Sequence, residues 1–427
     1  MIQHKYMRGF LFTILILFPG LANLFKSMGS GPLILLAAIG LAAVFHPPRP
    51  AFSRAEKWLM AAFAAYLTVY LVSAVINTFS GVLPEVRGKH FEKEAYLLTF
   101  IPVLFLFRKV EIPERVFWWG VSLGAVLVGC YSLVDFGWID IHYRVRGAYN
   151  PIMFGCLSLT MAFMAIQGYR FFRTYHPWLV IVPLAGFFLG TISSILSGSR
   201  GAWMATIAFF GITLFHLGKN LKRMELALII STFCLALFLA YMIPETGVAQ
   251  RFHLAQNDLQ KYSRGDVTIE NSVGLRLASW KACLQIARKH PIFGIGPGNY
   301  KPTILAMSKA GKLPYSADVY YSQPHNIYLA VLVDSGVVGV AVLLSILFLP
   351  VGIFIHRAWK AWPHPPATAF AGLILAVGYI HFGLTETIFG RNLFVAFYVI
   401  MLSLVLTLSR RDESGSNGKT GPKQTVE

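Results

Sequence analysis

Residues 276–300 read RLASWKACLQIARKHPIFGIGPGNY, and the motif SQPHN follows at residues 322–326. This mostly polar stretch lies between two long apolar runs, each of which has the length of a membrane-spanning helix. A polar segment that leaves a membrane and re-enters it is confined to one face of that membrane. We therefore expect the functional residues of this protein to lie on one face.

The composition is that of a membrane protein. The chain has 427 residues, of which 56% are hydrophobic and 13% are charged, and its mean hydropathy is +0.60. A soluble core cannot bury that much apolar surface. The first apolar run follows the stretch HKYMR at residues 4–8 without a small-residue cleavage site, so we interpret it as a retained span. The four cysteines lie mostly in apolar runs, and no structural disulfide is expected.

Twelve apolar runs predict an all-α polytopic membrane protein with about twelve transmembrane helices. Lysine and arginine in alternate short loops mark one side as cytoplasmic, and the even number of spans places both termini there. The expected divisions are spans 1–9 (residues 1–243), a helical periplasmic segment (244–325), spans 10–12 (326–408) and a disordered cytoplasmic tail (409–427). The runs are 9–25, 32–45, 57–76, 96–107, 116–137, 152–169, 178–196, 201–217, 225–243, 326–350, 367–388 and 393–408.

The expected periplasmic segment carries more positive charge than the topology explains. It holds ten basic residues against five acidic ones, and Arg144, Arg146, Arg200 and Arg391 belong to other loops on the same face. The net charge of +18 does not require nucleic acid as a partner, because basic residues that flank cytoplasmic span ends account for most of it. The external excess indicates an anionic ligand, with anionic lipid headgroups as the alternative.

Two loops on this face supply candidate anion-binding arginines. SGSRGAW at residues 197–203 turns the chain between two apolar runs. A charged arginine beside such runs is energetically unfavourable unless it is paired or hydrated. Arg200 is therefore a functional candidate, with an interfacial, snorkelling arginine as the alternative. RVRGAYNP at residues 144–151 adds Arg144 and Arg146, between which the sequence does not choose.

The segment from about 271 to 290 has helical periodicity, with Arg276 in its first turn. It predicts an amphipathic helix on the membrane surface, ended by Pro291. GIGPGNY at residues 294–300 resembles a phosphate-binding loop, but no Gly-Lys-Ser/Thr follows, so we predict a compact turn whose N–H groups are candidates to face the pocket. The expected apolar face of the helix consists of Leu277, Trp280, Leu284 and Ala287.

His325 follows Pro324 at the expected first turn of the tenth span. The helix dipole and nearby arginines favour neutral imidazole, the form that accepts a proton, so His325 is a candidate general base; a capping or hydrogen-bonding histidine is the alternative. The sequence contains no HExxH, CxxC or GxSxG motif and no acidic pair on the external face. A bound divalent metal therefore has little support.

Three motifs together resemble the O-antigen ligase family and its wider polymerase-ligase superfamily. They are SGSRGAW, Arg276 before HPIFGIGPGNY (290–300), and HNIYLAVLVDSGVVG (325–339), and they occur in the family's order. The resemblance extends from about Arg144 to the last span. The single large periplasmic segment looks more like the ligase than like O-antigen polymerases, which typically have two sizeable loops.

The resemblance implies a membrane-embedded, GT-C-like glycosyltransferase that inverts configuration and needs neither metal nor other cofactor. Its donor would be a glycan on undecaprenyl pyrophosphate, and its acceptor a sugar hydroxyl of lipid A-core, at the periplasmic face of the bacterial inner membrane. By the family pattern the base is His325, the pyrophosphate-binding residues are Arg200 and Arg276 with Arg144 or Arg146, and the supporting residues are Asn326 and Asp334.

Asp334 lies two turns into the tenth span, where an ionised carboxyl group without a counter-charge is energetically unfavourable. We expect it to orient a partner or to pair with an arginine, with the structural role favoured. The alternatives for the whole protein are an O-antigen polymerase, a protein O-oligosaccharyltransferase, or a transporter of lipid-linked glycans. A transporter should have related halves and charges along a route through the midplane, whereas the candidates here lie on one face.

Overall fold

The computed structural model describes residues 5–79, 91–138, 144–218, 221–244, 272–313 and 323–417, with isolated positions between 253 and 260. Within these residues all regular structure is helical. The helices are α1 (Lys5–Leu24), α2 (Ser27–Val44), α3 (Arg54–Phe79), α4 (Glu92–Leu98), α5 (Phe100–Lys109), α6 (Glu114–Trp138), α7 (Pro151–Gln167), α8 (Tyr169–Tyr175), α9 (Ile181–Leu196), α10 (Arg200–Gly218), α11 (Arg223–Met242), α12 (Ser272–Lys289), α13 (Tyr300–Lys309), α14 (Ile327–Lys360), α15 (Ala367–Gly383) and α16 (Asn392–Asn417).

The helices show a multi-pass membrane protein. Each of the twelve predicted apolar runs lies largely in a helix, and eight of the described helices are long and apolar enough to cross a membrane. A ninth results if α7 and α8, bent by 48°, form one span, and α15 is apolar but shorter, with 17 residues. The run 96–107 was predicted as a single helix, but Thr99 separates α4 from α5 there. The eight are α1, α2, α3, α6, α9 with the short turn Pro177–Val180 before it, α10, α14 and α16.

Several predicted boundaries differ from the structure or lie beyond it. Helix α14 continues to Lys360 and α16 to Asn417, so both are longer than their apolar runs. The extension of α16 is mostly polar, whereas residues 351–360 of α14 are still largely apolar, so the predicted run ends before the apolar part of α14 does. Most of residues 245–271, residues 314–322 and the end of the tail (418–427) lie outside the described residues.

Helices α7, α15 and α16 form the centre of the bundle. Of the spanning part of α16, 94% is buried, and α7 is buried from Met153 to Gln167. A helix that is apolar on all sides is stable only when other helices surround it. Buried tyrosine hydroxyls donate to backbone carbonyls of neighbouring helices, which joins α14, α15 and α16 at three levels: Tyr379 to Phe394 at 2.6 Å, Tyr398 to Ile346 at 2.9 Å, and Tyr328 to Ile380 at 2.9 Å.

Basic residues from distant parts of the chain meet at one end of the bundle. Arg8 donates to the Glu111 carbonyl at 3.0 Å, and Lys109 donates to the Ala43 carbonyl at 3.0 Å. Arg410 reaches the Ala51 carbonyl at 2.6 Å. We call this the basic end. The opposite end, which holds the loops at residues 144–150, 197–199 and 384–391, is the site end.

Helix α14 is interrupted near the site end. Gly336 has φ 65° and ψ −162°, a conformation that only glycine adopts readily. The chain after α12 fills the break, since Val337 N–H donates to the Pro291 carbonyl at 2.9 Å. A Cβ atom at Gly336 would lie 2.2 Å from the Ile292 carbonyl oxygen. The break is therefore a docking point for the polar segment.

The glycines of GIGPGNY serve this docking. Gly294, Gly296 and Gly298 all have positive φ, as a compact turn requires. Their surroundings correct one prediction: Ile295 N–H donates to the Val333 carbonyl at 2.8 Å and Gly296 N–H to the Asp334 carbonyl at 3.1 Å. These N–H groups bind α14 rather than facing a pocket.

Helix α12 confirms the predicted helix and has a second apolar face. Of the face predicted to lie on the membrane surface, Leu284 is exposed, Leu277 and Trp280 are half-buried and Ala287 is buried. Another set of side chains packs into a second small core with Val333 of α14, and periodicity alone did not identify it. These residues are Leu275, Ala278, Ala282, Cys283 and Ile286.

Candidate functional site

His325 precedes α14 and faces a buried carboxylate. Its Nδ1 atom lies 3.4 Å from Oε2 of Glu386, whose side chain is 1% exposed against 17% for His325. Asn326, not His325, is the N-cap of α14. The histidine thus lies just outside the helix, and its immediate electrostatic partner is a carboxylate rather than the helix terminus assumed from the sequence.

The Glu386 carboxylate is held ionised by its neighbours. Burial alone would raise its pKa, but the hydrogen bond and charge of His325, together with Arg391 and the Thr387 N–H, outweigh burial, and the pKa is lowered. Arg391 Nε lies 3.8 Å from Oε1, and Thr387 N–H donates to the same oxygen at 3.0 Å. Because a carboxylate only accepts, Nδ1 of His325 donates to it, and whenever the ring is neutral its lone pair is on Nε2.

The backbone of His325 is strained. Its φ of 49° makes it the one non-glycine residue with positive φ in the described chain. This conformation costs about 1–2 kcal/mol for an ordinary residue. Asn326 holds the turn by accepting from Leu329 N–H at 3.1 Å and donating to the Leu384 carbonyl at 3.2 Å. The supporting role predicted for Asn326 thus has a physical basis in fixing α14 to the loop that carries Glu386.

Helix α12 brings Arg276 to the same turn. Trp280 Nε1–H donates to the Pro324 carbonyl at 2.9 Å, next to His325. Arg276 is one helical turn earlier and therefore on the same face of α12. It is half-buried, and its Nε atom is buried without a hydrogen-bond partner among the described residues. An unsatisfied buried guanidinium nitrogen is a donor for which the described residues supply no acceptor.

Arg200 begins α10 at the site end. The turn before it requires Gly198, whose φ is 58°. At the adjacent Gly201, a Cβ atom would lie 2.2 Å from Oγ1 of Thr385, so α10 approaches the loop of Glu386 directly. Arg200 is half-buried. The SGSR turn, the QPHN turn and the loop at 384–391 therefore converge.

Arg144 and Arg146 differ in their surroundings. Arg144 donates from Nε to the Ser197 carbonyl at 2.9 Å and from Nη2 to the Gly198 carbonyl at 3.3 Å, so it holds the SGSR turn in place. Arg146 is exposed and its charge acts on Asp135 at the end of α6. The structure therefore gives Arg144 a positioning contact with the loop of Arg200, which the sequence did not indicate.

Asp334 is placed by its backbone. Its carbonyl oxygen accepts from Gly296 N–H and lies 2.7 Å from Ser73 Oγ. Within the described chain its carboxylate makes no ion pair with an arginine, which was one of the two roles expected for it. Across the same residues, no three or more His, Cys, Asp and Glu side chains are grouped closely enough to hold a metal ion.

Comparison with known proteins matches residues 185–344 to the O-antigen ligase family. This region of the chain is similar to an O-antigen ligase domain. It is also similar to an uncharacterized protein of Haemophilus influenzae, with 25% identity over 368 residues that cover 86% of this chain and 90% of the relative. The family resemblance inferred from the three motifs is confirmed.

The O-antigen ligase domain contains some of the candidate residues and omits others. Arg200, Arg276 and His325 lie inside it. Glu386 lies outside, and sequence reasoning missed it because the run 367–388 was interpreted as an apolar span. The available signal was an acid inside an apolar run, five residues before Arg391.

Proposed function

We propose that the protein is an O-antigen ligase. It transfers a glycan from undecaprenyl pyrophosphate to a sugar hydroxyl of lipid A-core in lipopolysaccharide biosynthesis, with inversion and without a metal. The observation that carries this proposal is the pair of His325 and Glu386, set at one end of the bundle within a membrane protein that contains an O-antigen ligase domain.

The pair fits the acceptor side of the reaction. The acceptor hydroxyl oxygen attacks the anomeric carbon of the donor, and its proton passes to Nε2 of His325. Glu386 fixes the ring tautomer through Nδ1 and offsets the positive charge that the ring gains. The bond from the anomeric carbon to the pyrophosphate oxygen breaks as the new glycosidic bond forms, so an attack from the opposite face inverts the configuration.

The arginines fit the donor side. As the bond to the anomeric carbon breaks, negative charge grows on the pyrophosphate, and guanidinium groups stabilise it through bidentate hydrogen bonds. Arg276, one turn from Trp280, and Arg200, at the start of α10, are the proposed pyrophosphate ligands. Arg144 positions the turn of Arg200. Arg146, which lies on an exposed loop, is a less favoured candidate for contacting the donor pyrophosphate.

An apolar cavity of about 250 Å³ lies beside the turn of Arg200. Ser194 and Ile195 from the end of α9 and Trp203 from the first turn of α10 line it, as do Phe233 and Leu237 of α11. Its position below an arginine-bearing turn suits the first isoprene units of a polyprenyl pyrophosphate. This supports a lipid-linked donor rather than a soluble sugar nucleotide.

The topology that we propose has twelve spans in a GT-C-like arrangement, with the site end in the periplasm and the basic end in the cytoplasm. The residues at the basic end are the lysines and arginines of alternate short loops, which the positive-inside rule assigns to the cytoplasm. The membrane is then the bacterial inner membrane, and the segment 244–325 is periplasmic.

The test is transfer by the purified protein in detergent, with lipid-linked glycan, lipid A-core and EDTA. Wild type should form the conjugate, and His325→Asn should lose about 10²- to 10⁴-fold in turnover, the usual contribution of a general base. Asparagine tolerates the left-handed backbone and keeps a donor toward Glu386. This variant therefore removes the general base without adding backbone strain. Full turnover by His325→Asn, or activity that appears only when Mg²⁺ is added, would refute the mechanism.

The same assay separates the alternative functions. An O-antigen polymerase would lengthen the lipid-linked glycan when lipid A-core is omitted, and a protein oligosaccharyltransferase would modify a polypeptide acceptor. A transporter would form no covalent product with any acceptor. Conjugate formation only with lipid A-core supports the ligase.

A further inference from the structure

A cavity at the basic end combines cationic and apolar walls. Its volume is about 880 Å³, and it lies between α3, α14 and α16, far from His325. Helix α14 runs from one site to the other over 34 residues, or roughly 50 Å of helix. The cavity is thus independent of the proposed catalytic site.

The cationic wall surrounds a single buried glutamate. Arg108, Arg357 and Arg410 all contact Glu56, with Arg357 Nη2 at 2.9 Å and Arg410 Nη1 at 3.5 Å. The Glu56 side chain is fully buried and that of Arg357 is 5% exposed. Three guanidinium groups therefore surround one buried carboxylate beside the cavity.

Further bases extend this charge along the opening. Arg54 and Lys360 line the cavity with Arg357 and Arg410, and none of its described lining residues is acidic. Trp58 and Trp359, which are 60% and 78% exposed, lie within about one turn of these residues. Exposed tryptophans of a membrane protein lie at the headgroup level, so the cationic wall is at the depth of lipid phosphates.

The apolar wall continues from the cationic one toward the membrane centre. Leu344, Phe348, Leu349 and Ile353 line it along α14. From Leu344 to Ile353 the helix rises roughly 14 Å, which is close to half of the ~30 Å hydrocarbon thickness. A soluble anion would contact only the cationic end, whereas an acyl chain would follow the whole wall.

We propose that this cavity binds an anionic phospholipid, with its phosphate against Arg54 and Lys360 and one acyl chain along α14. The inference goes beyond the proposed function and does not depend on it. The lipid would fasten α3, α14 and α16 together at the basic end.

The test compares ligands on delipidated protein in mild detergent, by Tm and by lipid adducts in native mass spectrometry. Phosphatidylglycerol should raise Tm and give a retained adduct, whereas phosphatidylethanolamine and inorganic phosphate should do neither. An equal shift with inorganic phosphate would show a soluble-anion site and overturn the proposal. An equal shift with phosphatidylethanolamine would show lipid binding without charge selection and would also overturn it.

Two variants locate the lipid. Arg54→Glu combined with Lys360→Glu should weaken phosphatidylglycerol binding on the order of tenfold or more. Each change replaces attraction of the anionic headgroup by repulsion. Arg115→Glu changes an exposed base at the same end that does not line the cavity, and it should bind normally. Unchanged binding by the double variant refutes the assigned site.

Gly352→Phe tests the apolar wall without changing charge. Gly352 lines the cavity, and a Cβ atom there meets nothing within 4 Å, so the ring enters the space of the acyl chain without a backbone clash. Gly9→Phe is the matched control, because the Cβ position at Gly9 is equally open but lies on α1. Gly352→Phe should lose the adduct and Gly9→Phe should keep it. If the charge-reversal variant does not fold, this pair decides: equal adducts in both refute the proposal.

Discussion

Replacing Glu386 by glutamine should slow transfer while leaving the fold intact. Glutamine keeps the size and a carbonyl acceptor for His325 Nδ1 but removes the charge that the ring, Arg391 and the Thr387 N–H surround. A hydrogen bond to a charged group contributes about 1.5–3 kcal/mol. The 3.4 Å separation indicates the lower part of that range.

If that energy stabilises the imidazolium formed during proton transfer, turnover falls roughly ten- to fortyfold, since 1.36 kcal/mol corresponds to a factor of ten. The assay is conjugate formation under saturating donor and acceptor, with donor binding measured on the same preparation. Donor affinity should be almost unchanged, because the proposed pyrophosphate ligands are Arg200 and Arg276. Glu92→Gln is the matched control, as Glu92 lies at the same end with a side chain that is 45% exposed.

The pH dependence of stability supplies a readout independent of catalysis. The Glu386 pKa is below its ordinary value of 4.5, so ionised Glu386 stabilises the fold above pH 4.5, and this contribution is lost as pH falls through the lowered pKa. The Tm difference between wild type and Glu386→Gln should shrink as pH falls below about 4.5. Wild-type turnover in Glu386→Gln, or a Tm difference that grows as pH falls below about 4.5, would refute the role given to this carboxylate.

Three further predictions concern the donor site, the break and the topology. Arg200→Lys and Arg276→Lys keep the charge but lose the planar fork, so activity should fall greatly in both; full activity in both would mean that neither makes bidentate contact. Gly336→Ala should lower Tm strongly, because its Cβ would lie 2.2 Å from a carbonyl oxygen, whereas Gly352→Ala on the same helix should change Tm little; equal Tm values would contradict the docking geometry. Lys309→Cys in a background without native thiols should react with an impermeant maleimide in intact spheroplasts, and reaction only after lysis would reverse the orientation.

The helices were predictable because apolar runs are a local property of the chain. All twelve runs lie in helices, and the capping residue Asn150 before Pro151 opens α7 as its sequence suggests, accepting from Met153 N–H at 2.8 Å. Lengths were less predictable, since the predicted run 326–350 ends before α14 does at Lys360, although residues 351–360 are still largely apolar.

The contacts within the site were not predictable because they join residues distant in sequence. Glu386 meets His325 across 61 positions, and Asn326 meets Leu384 across 58. The break at Gly336 likewise depends on Ile292, which lies in another segment. The motifs identified candidate functional residues. Only the packing shows that Arg144 holds a turn and that N–H groups of GIGPGNY bind α14.

The strained turn at His325 links the two halves of the proposed reaction. Its left-handed backbone persists because neighbours on both sides hold it: Trp280 of α12 through the Pro324 carbonyl, and Asn326 through the Leu384 carbonyl. Helix α12 also carries Arg276, so the element that carries a proposed pyrophosphate ligand also fixes the proposed base. A displacement of α12 would therefore move these two residues together. The docking of that segment in the break of α14 sets the position of both.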